Sequence, residues 1–281
     1  MPTWGEARAA ATVRLRSAPD PDTAALDADV LLAHVLGVGK EALFAHPERG
    51  LSAAENERFG ELVERRARGE PVAYLRGFKE FYGLRFRVDP RVLIPRPETE
   101  VLVDAARERI AGRALTVVDV GTGCGAIAVA IAAHEHRVRV IATDSSRDAL
   151  AVAESNALAN GVADRVEFRH GDLLVPITER VDMVCANLPY LPDASVDKWA
   201  GERSSLAFEP RDAVVAGAEG LDVIRRCVAD LARVLAPEGA AFFECDPPQI
   251  AAVTEMLERS GLRARILRDL ARAERVVVAE R

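Results

Sequence analysis

The sequence has little of several features that would point to a particular class of protein. Its four cysteines, Cys124, Cys185, Cys227 and Cys245, lie far apart without a Cys-x-x-Cys pair, which argues against a disulfide framework and a zinc knuckle. We expect no metal site. The longest apolar run, 126–133, is far too short to span a bilayer, and the first residues lack the layout of a signal peptide. We therefore expect a cytoplasmic protein with no membrane partner.

Positive charge is also scarce. The 44 Asp and Glu residues outnumber the 37 Lys and Arg residues, which leaves a formal net charge of -7. Such a chain has no general positive field that would draw it onto nucleic acid, so no direct nucleic-acid partner is expected. The 281 residues, 49% of them hydrophobic, are enough to bury a sizeable core. We expect a monomer.

Residues 3–68 follow helical periodicity, with Leu26 and Leu31 among the apolar residues on one face. Ser52 and Glu55 form a capping box, and Gly69 lies near the stop of the helix that follows, which we predict over 52–68. Five aromatic side chains then cluster between residues 74 and 88, and we predict a β-hairpin there, with most of the aromatics in the core. They are Tyr74, Phe78, Phe81, Tyr82 and Phe86.

From residue 95 onward, segments typical of strands and helices alternate, which predicts a mostly parallel sheet covered by helices on both faces. A helix is predicted from residue 98 to about residue 111. The predicted strands are 115–120, 138–143, 166–170, 181–186 and 240–244, with helices at 146–160, 221–235 and 248–260. Two last strands, 264–267 and 275–279, should pair antiparallel because their connector is too short for a crossover helix.

The predicted fold class is therefore α/β, a Rossmann-like domain with a seven-stranded sheet. We predict three parts: an N-terminal helical domain (1–70), a β-hairpin linker (71–92) and the α/β domain (93–281).

A glycine-rich turn follows the first strand of the α/β domain and opens a helix. Glycine permits positive φ and a close approach of the backbone to a ligand, and the helix N-terminus offers free amides. Asp144, at the end of the next strand, stands where an acid would accept ribose hydroxyls. Because 121–126 also fits a dinucleotide fingerprint, this pattern leaves both NAD and S-adenosylmethionine open. After the third strand, Asp172 is placed to meet an adenine amine and Leu173 its face.

A second cluster, Asn187-Leu188-Pro189-Tyr190, ends the strand 181–186. The nitrogen of an amide or aromatic amine is a weak nucleophile because its lone pair is delocalised. Two preorganised acceptors for its N–H groups would orient that lone pair towards a methyl donor. The side-chain oxygen of Asn187 and the backbone carbonyl of Leu188 are our candidates, with Pro189 stiffening the turn and Tyr190 facing the planar group.

With these motifs, the sequence resembles the glutamine methyltransferases of bacterial peptide-chain release factors (PrmC/HemK). Besides the two clusters, the resemblance rests on 71–77, 81–88, 209–213, Gln249 and, most specifically, Val92-Leu93-Ile94-Pro95-Arg96-Pro97-Glu98-Thr99-Glu100. It implies a class I methyltransferase that uses S-adenosyl-L-methionine and methylates the glutamine of the Gly-Gly-Gln loop of a release factor, a protein methylation that serves translation termination. The N-terminal domain and the hairpin would engage the release factor.

The resemblance also assigns residues. Asn187, Leu188, Pro189 and Tyr190 would hold the glutamine. The cofactor would be contacted by Gly121, Thr122, Gly123, Cys124, Gly125, Asp144, Leu173 and Asn187. The sequence departs from the family at Leu188, where proline is usual, and from this we expect slower turnover or a looser pocket. It departs again at 244–246.

Four alternatives remain open from the sequence. An adenine-specific nucleic-acid methyltransferase would use the same cradle, and a ribosomal-protein glutamine methyltransferase would share almost every motif. The chain would also fit a catalytically silent binding protein of the same fold. The glycine loop keeps an NAD-dependent dehydrogenase open, although no histidine forms an obvious proton relay.

Overall fold

The structure is a computed structural model that describes residues 1–18, 21–195 and 205–281. The described residues divide into two compact units, one of residues 1–18, 21–78 and 205–208 and the other of residues 79–195 and 209–281. Each unit has its own hydrophobic core.

The first unit is helical. Its helices are α1 (Trp4–Leu15), α2 (Ala24–Leu36), α3 (Lys40–Ala45), α4 (Ala53–Ala67) and α5 (Val72–Arg76). The predicted capping box is present, because the Ser52 side chain accepts from the backbone of Glu55 and the Glu55 carboxylate accepts from the backbone of Ser52.

The predicted apolar face of α2 is partly wrong. Leu31 is fully buried, but Leu26 is 51% exposed. The buried face carries Asp27 instead, whose carboxylate accepts from the guanidinium of Arg66 on α4 at 2.7 Å. A buried ion pair of this kind is invisible to a pattern that counts only apolar residues.

The hairpin is shorter than predicted. Tyr74 lies in helix α5, and the two strands are β1 (Phe78–Phe81) and β2 (Leu84–Arg87). Tyr82 and Gly83 form the two-residue turn, both with positive φ, as type I′ hairpins require. Phe81 and Phe86 are buried and pack edge to face.

The α/β domain follows the predicted alternation closely. A single 3₁₀ turn, Pro97–Thr99, leads into α6 (Glu100–Ile110). The later elements are β3 (Thr116–Val120), α7 (Ala126–His134), β4 (Arg139–Asp144), α8 (Arg147–Ala159), β5 (Val166–His170), β6 (Val181–Ala186), α9 (Asp222–Val234), β7 (Leu235–Glu244), α10 (Ile250–Arg259), β8 (Arg263–Arg268) and β9 (Glu274–Glu280).

The seven strands form one sheet in the order β5-β4-β3-β6-β7-β9-β8. The pairs from β5 to β7 are parallel, and β9 runs antiparallel to both β7 and β8, so the predicted fold class is confirmed. The strands read as continuous apolar runs because helices cover both faces of the sheet.

The chain reverses its winding direction between β3 and β6. From β3 it moves outward to β4 and β5, then crosses to β6 on the other side of β3. Parallel sheets bind ligands outside the carboxyl ends of the strands at such a reversal. Val120 and Ala186 are partners in the β3–β6 ladder. The fold therefore predicts a ligand site at the residues that follow these two.

Within the described residues, no helix is both long and apolar enough to cross a membrane. No group of three or more His, Cys, Asp and Glu side chains able to hold a metal ion occurs there either. The four cysteines are unpaired and buried.

Candidate active site

A cavity of about 380 Å³ lies at the carboxyl ends of β3, β4 and β6. The ladder register places the ends of these strands side by side, because Val120 is the partner of both Thr143 and Ala186. Eight of the residues singled out from the sequence line the cavity: Gly121, Gly123, Asp144, Asp172, Leu173, Asn187, Leu188 and Pro189. Its volume is within the usual range for a small-molecule site.

The glycine loop crosses the floor of the cavity with three glycines in the left-handed region. The φ angles are 68° at Gly121, 56° at Gly123 and 84° at Gly125. Gly121 and Gly123 line the cavity. A Cβ at Gly125 would come within 3.2 Å of Ala153 on α8, so this glycine serves the packing of α7 against α8.

Thr122, Cys124 and Gly125 do not line the cavity. The Thr122 hydroxyl donates to the buried carboxylate of Asp119 at 2.6 Å, and Cys124 is buried. The cofactor contacts that the resemblance implies for these three residues stay a prediction.

The buried side chain of Asp119 supports the glycine loop through two hydrogen bonds. Its Oδ2 accepts from the Thr122 hydroxyl and from the backbone N–H of Ala128 at 3.0 Å. Burial raises the pKa of Asp119 to about 6 despite these two donors.

Asp144 connects β4 to the glycine loop. Its Oδ2 accepts from the backbone N–H of Gly123 at 2.9 Å, and its Oδ1 accepts from the N–H of Ser146 at 2.8 Å. Burial raises the pKa of Asp144, while these backbone hydrogen bonds oppose the shift. Each carboxylate oxygen keeps a second lone pair, so the side chain can still accept ligand hydroxyls.

Leu173 holds an unusual backbone conformation at the cavity wall. Its φ is 47°, and its carbonyl accepts from the Thr143 hydroxyl at 3.0 Å. A non-glycine residue keeps a left-handed backbone conformation only where the surrounding structure holds it, and such residues are common at ligand sites. Its neighbour Asp172 forms an ion pair with Arg226, which also lines the cavity.

Asn187, Leu188 and Pro189 line one edge of the cavity. Asn187 donates from Nδ2 to the Thr99 hydroxyl at 2.9 Å. Tyr190 does not line the cavity, and its carbonyl accepts from the side-chain amide of Gln249 at 2.7 Å. Burial raises the pKa of the Tyr190 phenol well above its ordinary value.

Leu188, where the sequence departs from the family pattern, packs into the core of the α/β domain. Its side chain is 2% exposed and belongs to the main core cluster of the α/β domain. A Cβ at Gly121 would lie 2.9 Å from Leu188 Cδ2. The leucine therefore anchors the segment through its side chain, while the expected effect on turnover stays a prediction.

Three features of the site escaped the sequence reasoning. Asn156 on α8 is 1% exposed and donates to the carbonyls of Arg87 and Cys124, which connects the hairpin to the glycine loop. The segments beside the cavity are also tied together, because the Glu209 carboxylate accepts from the backbone N–H of Ile94 at 2.9 Å and pairs with Arg96.

The third missed feature is the burial of two polar side chains near Asn187: Thr99, which accepts from Asn187 Nδ2, and Glu244, which follows the β-ladder partner of Ala186. Thr99 and Glu209 belong to the family motifs at 92–100 and 209–213, but the sequence alone indicates no chemical role for either.

Comparison with known proteins agrees with this geometry. Residues 6–77 match the PrmC N-terminal domain model, and residues 97–203 match the methyltransferase small domain model. The release factor glutamine methyltransferase of Pseudomonas aeruginosa is 39% identical over 264 residues, covering 93% of this chain and 94% of that protein. The protein of the same name from Bordetella pertussis is 40% identical over 261 residues, covering 92% and 95%.

Solved structures give the same fold. A ribosomal protein L11 methylase from Lactobacillus delbrueckii has a TM-score of 0.52 at 23% identity, over 70% of this chain and 84% of that one. A T. Thermophilus 16S rRNA methyltransferase in complex with AdoMet and guanosine has a TM-score of 0.54 at 19% identity, over 73% and 49%.

The sheet order and the cavity at its switch point define a class I methyltransferase. Within that class, the relatives that align over nearly the whole chain share one name, release factor glutamine methyltransferase. The chain belongs to the release factor glutamine methyltransferase family.

Proposed function

We propose that this protein transfers a methyl group from S-adenosyl-L-methionine to the side-chain amide nitrogen of the Gly-Gly-Gln glutamine in a peptide chain release factor. Family membership supports the substrate class, since the relatives are named for it. The observation that carries the proposal is the position of Asn187 at the cavity edge with its Nδ2 held by Thr99. That bond turns the amide oxygen of Asn187 away from Thr99 and makes it available to a substrate N–H.

The cavity residues fit the cofactor. Gly121 and Gly123 have no side chains that would obstruct a ligand. The Asp144 carboxylate lines the cavity where it can accept hydrogen bonds from ribose hydroxyls. Leu173 offers an apolar face for the adenine ring, and Asp172 an acceptor for its amine. When bound, the cofactor would supply an electrophilic methyl group. The solved rRNA methyltransferase with AdoMet shares this fold.

The glutamine amide needs orientation more than a base. Its N–H groups are very weakly acidic, so removing a proton before reaction is unfavourable. As the new N–CH₃ bond forms, the methyl–sulfur bond breaks and S-adenosylhomocysteine is the other product; the nitrogen loses one N–H proton only after it has been methylated. The Asn187 side-chain oxygen and the Leu188 carbonyl accept the two N–H groups and direct the nitrogen lone pair into the cavity. Pro189 limits the conformations of this segment. Tyr190 does not itself line the cavity, and its role beside the planar amide stays part of the proposal.

We assign the remaining parts by the same proposal. The helical residues 1–70 and the hairpin within 71–92 contact the release factor, and residues 93–281 carry methyl transfer. The protein acts as a monomer in the cytoplasm.

The test is mass spectrometry of a purified release factor incubated with the protein and S-adenosyl-L-methionine. We expect a gain of one methyl group on the Gly-Gly-Gln glutamine and none on a release factor in which that glutamine is replaced by asparagine. Cells lacking the protein should contain the unmodified glutamine. Cofactor binding without methylation of the release factor would overturn the proposal, and methylation of a ribosomal protein instead would identify the paralogous activity.

A further inference from the structure

Gln249 connects three segments of the α/β domain through one side chain. It ends the 3₁₀ turn Pro247–Gln249 that leads into α10, and it is 8% exposed. Its Nε2 donates to the backbone carbonyls of Tyr190 at 2.7 Å and of Glu219 at 3.1 Å, and its Oε1 accepts from the backbone N–H of Asp246 at 3.3 Å. No step of the proposed transfer yet uses this residue.

The NH₂ group distinguishes Gln249 from a residue that only caps a helix. The bond from Asp246 completes a capping box at the start of α10, and that role needs only an acceptor, which glutamate supplies equally well. Both hydrogens of the NH₂ group go instead to carbonyls that lie 59 and 30 residues away along the chain. A carboxylate has no such hydrogens. The amide is therefore suited to the two distant carbonyls rather than to the cap.

Gly220 packs directly against the same carbonyl of Tyr190. Its φ is 71°, and a Cβ there would lie 2.0 Å from the Tyr190 oxygen and 2.8 Å from Gln249 Nε2. A side chain at this position would push the carbonyl away from its donor. The turn that contains Gly220 therefore comes as close to Tyr190 as only glycine allows.

The residue after Tyr190 is paired with the segment 214–217. The N–H of Leu191 donates to the Val214 carbonyl at 2.9 Å, and the Leu191 carbonyl accepts from the N–H of Ala216 at 3.0 Å. Tyr190 is thus both the last residue of the proposed cradle and the first residue of a segment whose backbone is held by hydrogen bonds.

The other end of the cradle is held as well. Nδ2 of Asn187 donates to the Thr99 hydroxyl, and the side chain of Leu188 is buried in the core. Pro189 has a φ that its ring fixes, but Leu188 has no ring. The Leu188 carbonyl accepts no hydrogen bond from the part of the chain that the structure describes. Its direction therefore depends on how firmly the two ends of the cradle are held.

We propose that Gln249 is a positioning residue that, with the close approach of Gly220, directs the Leu188 carbonyl towards the substrate amide. This inference rests on the proposed function, in which that carbonyl is one of the two acceptors. Gln249 does not line the cavity, and it acts through the backbone by fixing the Tyr190 carbonyl, which limits rotation of the peptides on both sides of Pro189. A hydrogen bond weakens when its acceptor is misaligned, so a loosened segment should slow methyl transfer without weakening the cofactor.

Two substitutions of Gln249 separate positioning from capping. Gln249→Glu, studied at pH 8, keeps an acceptor for Asp246, but its carboxylate can donate to neither carbonyl. Gln249→Met has a similar length and loses all three hydrogen bonds. We expect both variants to lower kcat for release factor methylation by roughly tenfold, the effect of about one well-formed hydrogen bond. The KM for the release factor and the dissociation constant of the cofactor should change little. If capping were the only role, Gln249→Glu would keep the wild-type kcat.

Gly220→Ala perturbs the same carbonyl while leaving the glutamine in the chain. We expect it also to lower kcat by roughly tenfold, because the added Cβ separates the carbonyl from its donor. Gly261→Ala is the matched control, since Gly261 has a φ of 82° and nothing lies within 4 Å of a Cβ there. It introduces the same kind of backbone strain without a contact, and its kcat and KM should equal those of wild type.

NMR spectroscopy of the free protein tests the hydrogen bonds without turnover. Gln249 is the only glutamine in the chain, so isotope-labelled glutamine gives the signals of a single side-chain NH₂ group. Because both hydrogens are bonded, these signals should exchange slowly with water. In Gly220→Ala they should shift and exchange faster, whereas in Gly261→Ala they should stay as in wild type.

A wild-type kcat in either Gln249 variant would overturn the inference. Equal losses of kcat and of cofactor affinity would also overturn it, because they would show a general loss of structure, and so would equal losses of kcat in Gly220→Ala and Gly261→Ala. A wild-type protein that methylates no release factor, but whose Gln249 signals respond as expected, would instead refute the proposed function alone.

Discussion

The tie between Glu209 and the segment before α6 offers the sharpest test of how the cavity is held open. The side chain of Glu209 is 1% exposed, and its carboxylate accepts from the backbone N–H of Ile94 at 2.9 Å while pairing with Arg96. The segment 91–93 lines one part of the cavity, and Pro210, Asp212 and Ala213 line another. Removing the carboxylate with Glu209→Ala would release both.

The size of the effect follows from what is left behind. Breaking a buried charged pair by removing one partner costs roughly 3–5 kcal/mol. Arg96 is 32% exposed and can return to water, which favours the lower end of that range. We expect Glu209→Ala to lower the free energy of unfolding by about 3 kcal/mol, with the Ile94 amide left unpaired. Glu209→Gln keeps an acceptor for Ile94 and should cost about 1 kcal/mol.

Urea unfolding followed by circular dichroism measures the loss, and exchange of the Ile94 amide with solvent localises it. Calorimetric titration with the cofactor should show several-fold weaker binding in Glu209→Ala. Glu255→Ala is the control, because its pair with Arg259 is exposed at 62% and 77% and should change stability by less than about 0.5 kcal/mol. If Glu209→Ala unfolds together with this control, the reasoning is refuted.

Three further predictions concern single side chains. Asn187→Ala should lower turnover by roughly a hundredfold or more with little change in cofactor affinity, and equal losses in turnover and binding would count against the cradle. Asp144→Ala should chiefly weaken the cofactor, by roughly 1.5–3 kcal/mol for each lost charge-assisted bond, and an unchanged dissociation constant would remove its ribose role. Burial raises the pKa of Asp119 to about 6, so the Asp119 carboxyl group binds its proton more tightly in the native state than in the unfolded chain. Asp119 therefore stabilises the fold below about pH 4, and on the order of 3 kcal/mol is lost as the pH rises through about 6. Urea unfolding of wild type and Asp119→Asn should diverge in this way between pH 4 and 7, and parallel curves would contradict it.

Local patterns were sufficient for most of the α/β domain. The predicted strands 166–170 and 181–186 match β5 and β6 residue for residue. Continuous apolar runs with helical segments between them leave few alternatives to a parallel sheet. Side-chain pairing across the first unit was harder, since a pattern of apolar residues placed Leu26 on the buried face where Asp27 lies.

The hairpin is a second case in which the pattern of residue types did not determine the local structure. Aromatic residues alone do not distinguish a strand from a short buried helix, so Tyr74 was assigned to the hairpin although it lies in α5. The turn at Tyr82 and Gly83, in contrast, is local chemistry, and the sequence predicted a hairpin around it.

By itself, the sequence determined the strands, the glycine loop and the segment 187–190, because each depends on neighbours along the chain. Only the tertiary structure decided which distant residues support them. Asn187 meets a hydroxyl 88 residues away, and Glu209 meets an amide 115 residues away. Such contacts depend on the order and register of the strands, which bring the ends of β6 and β7 together and place β9 between β7 and β8. A single sequence carries no local signal for that order, and it is the order that places Glu244 near Asn187.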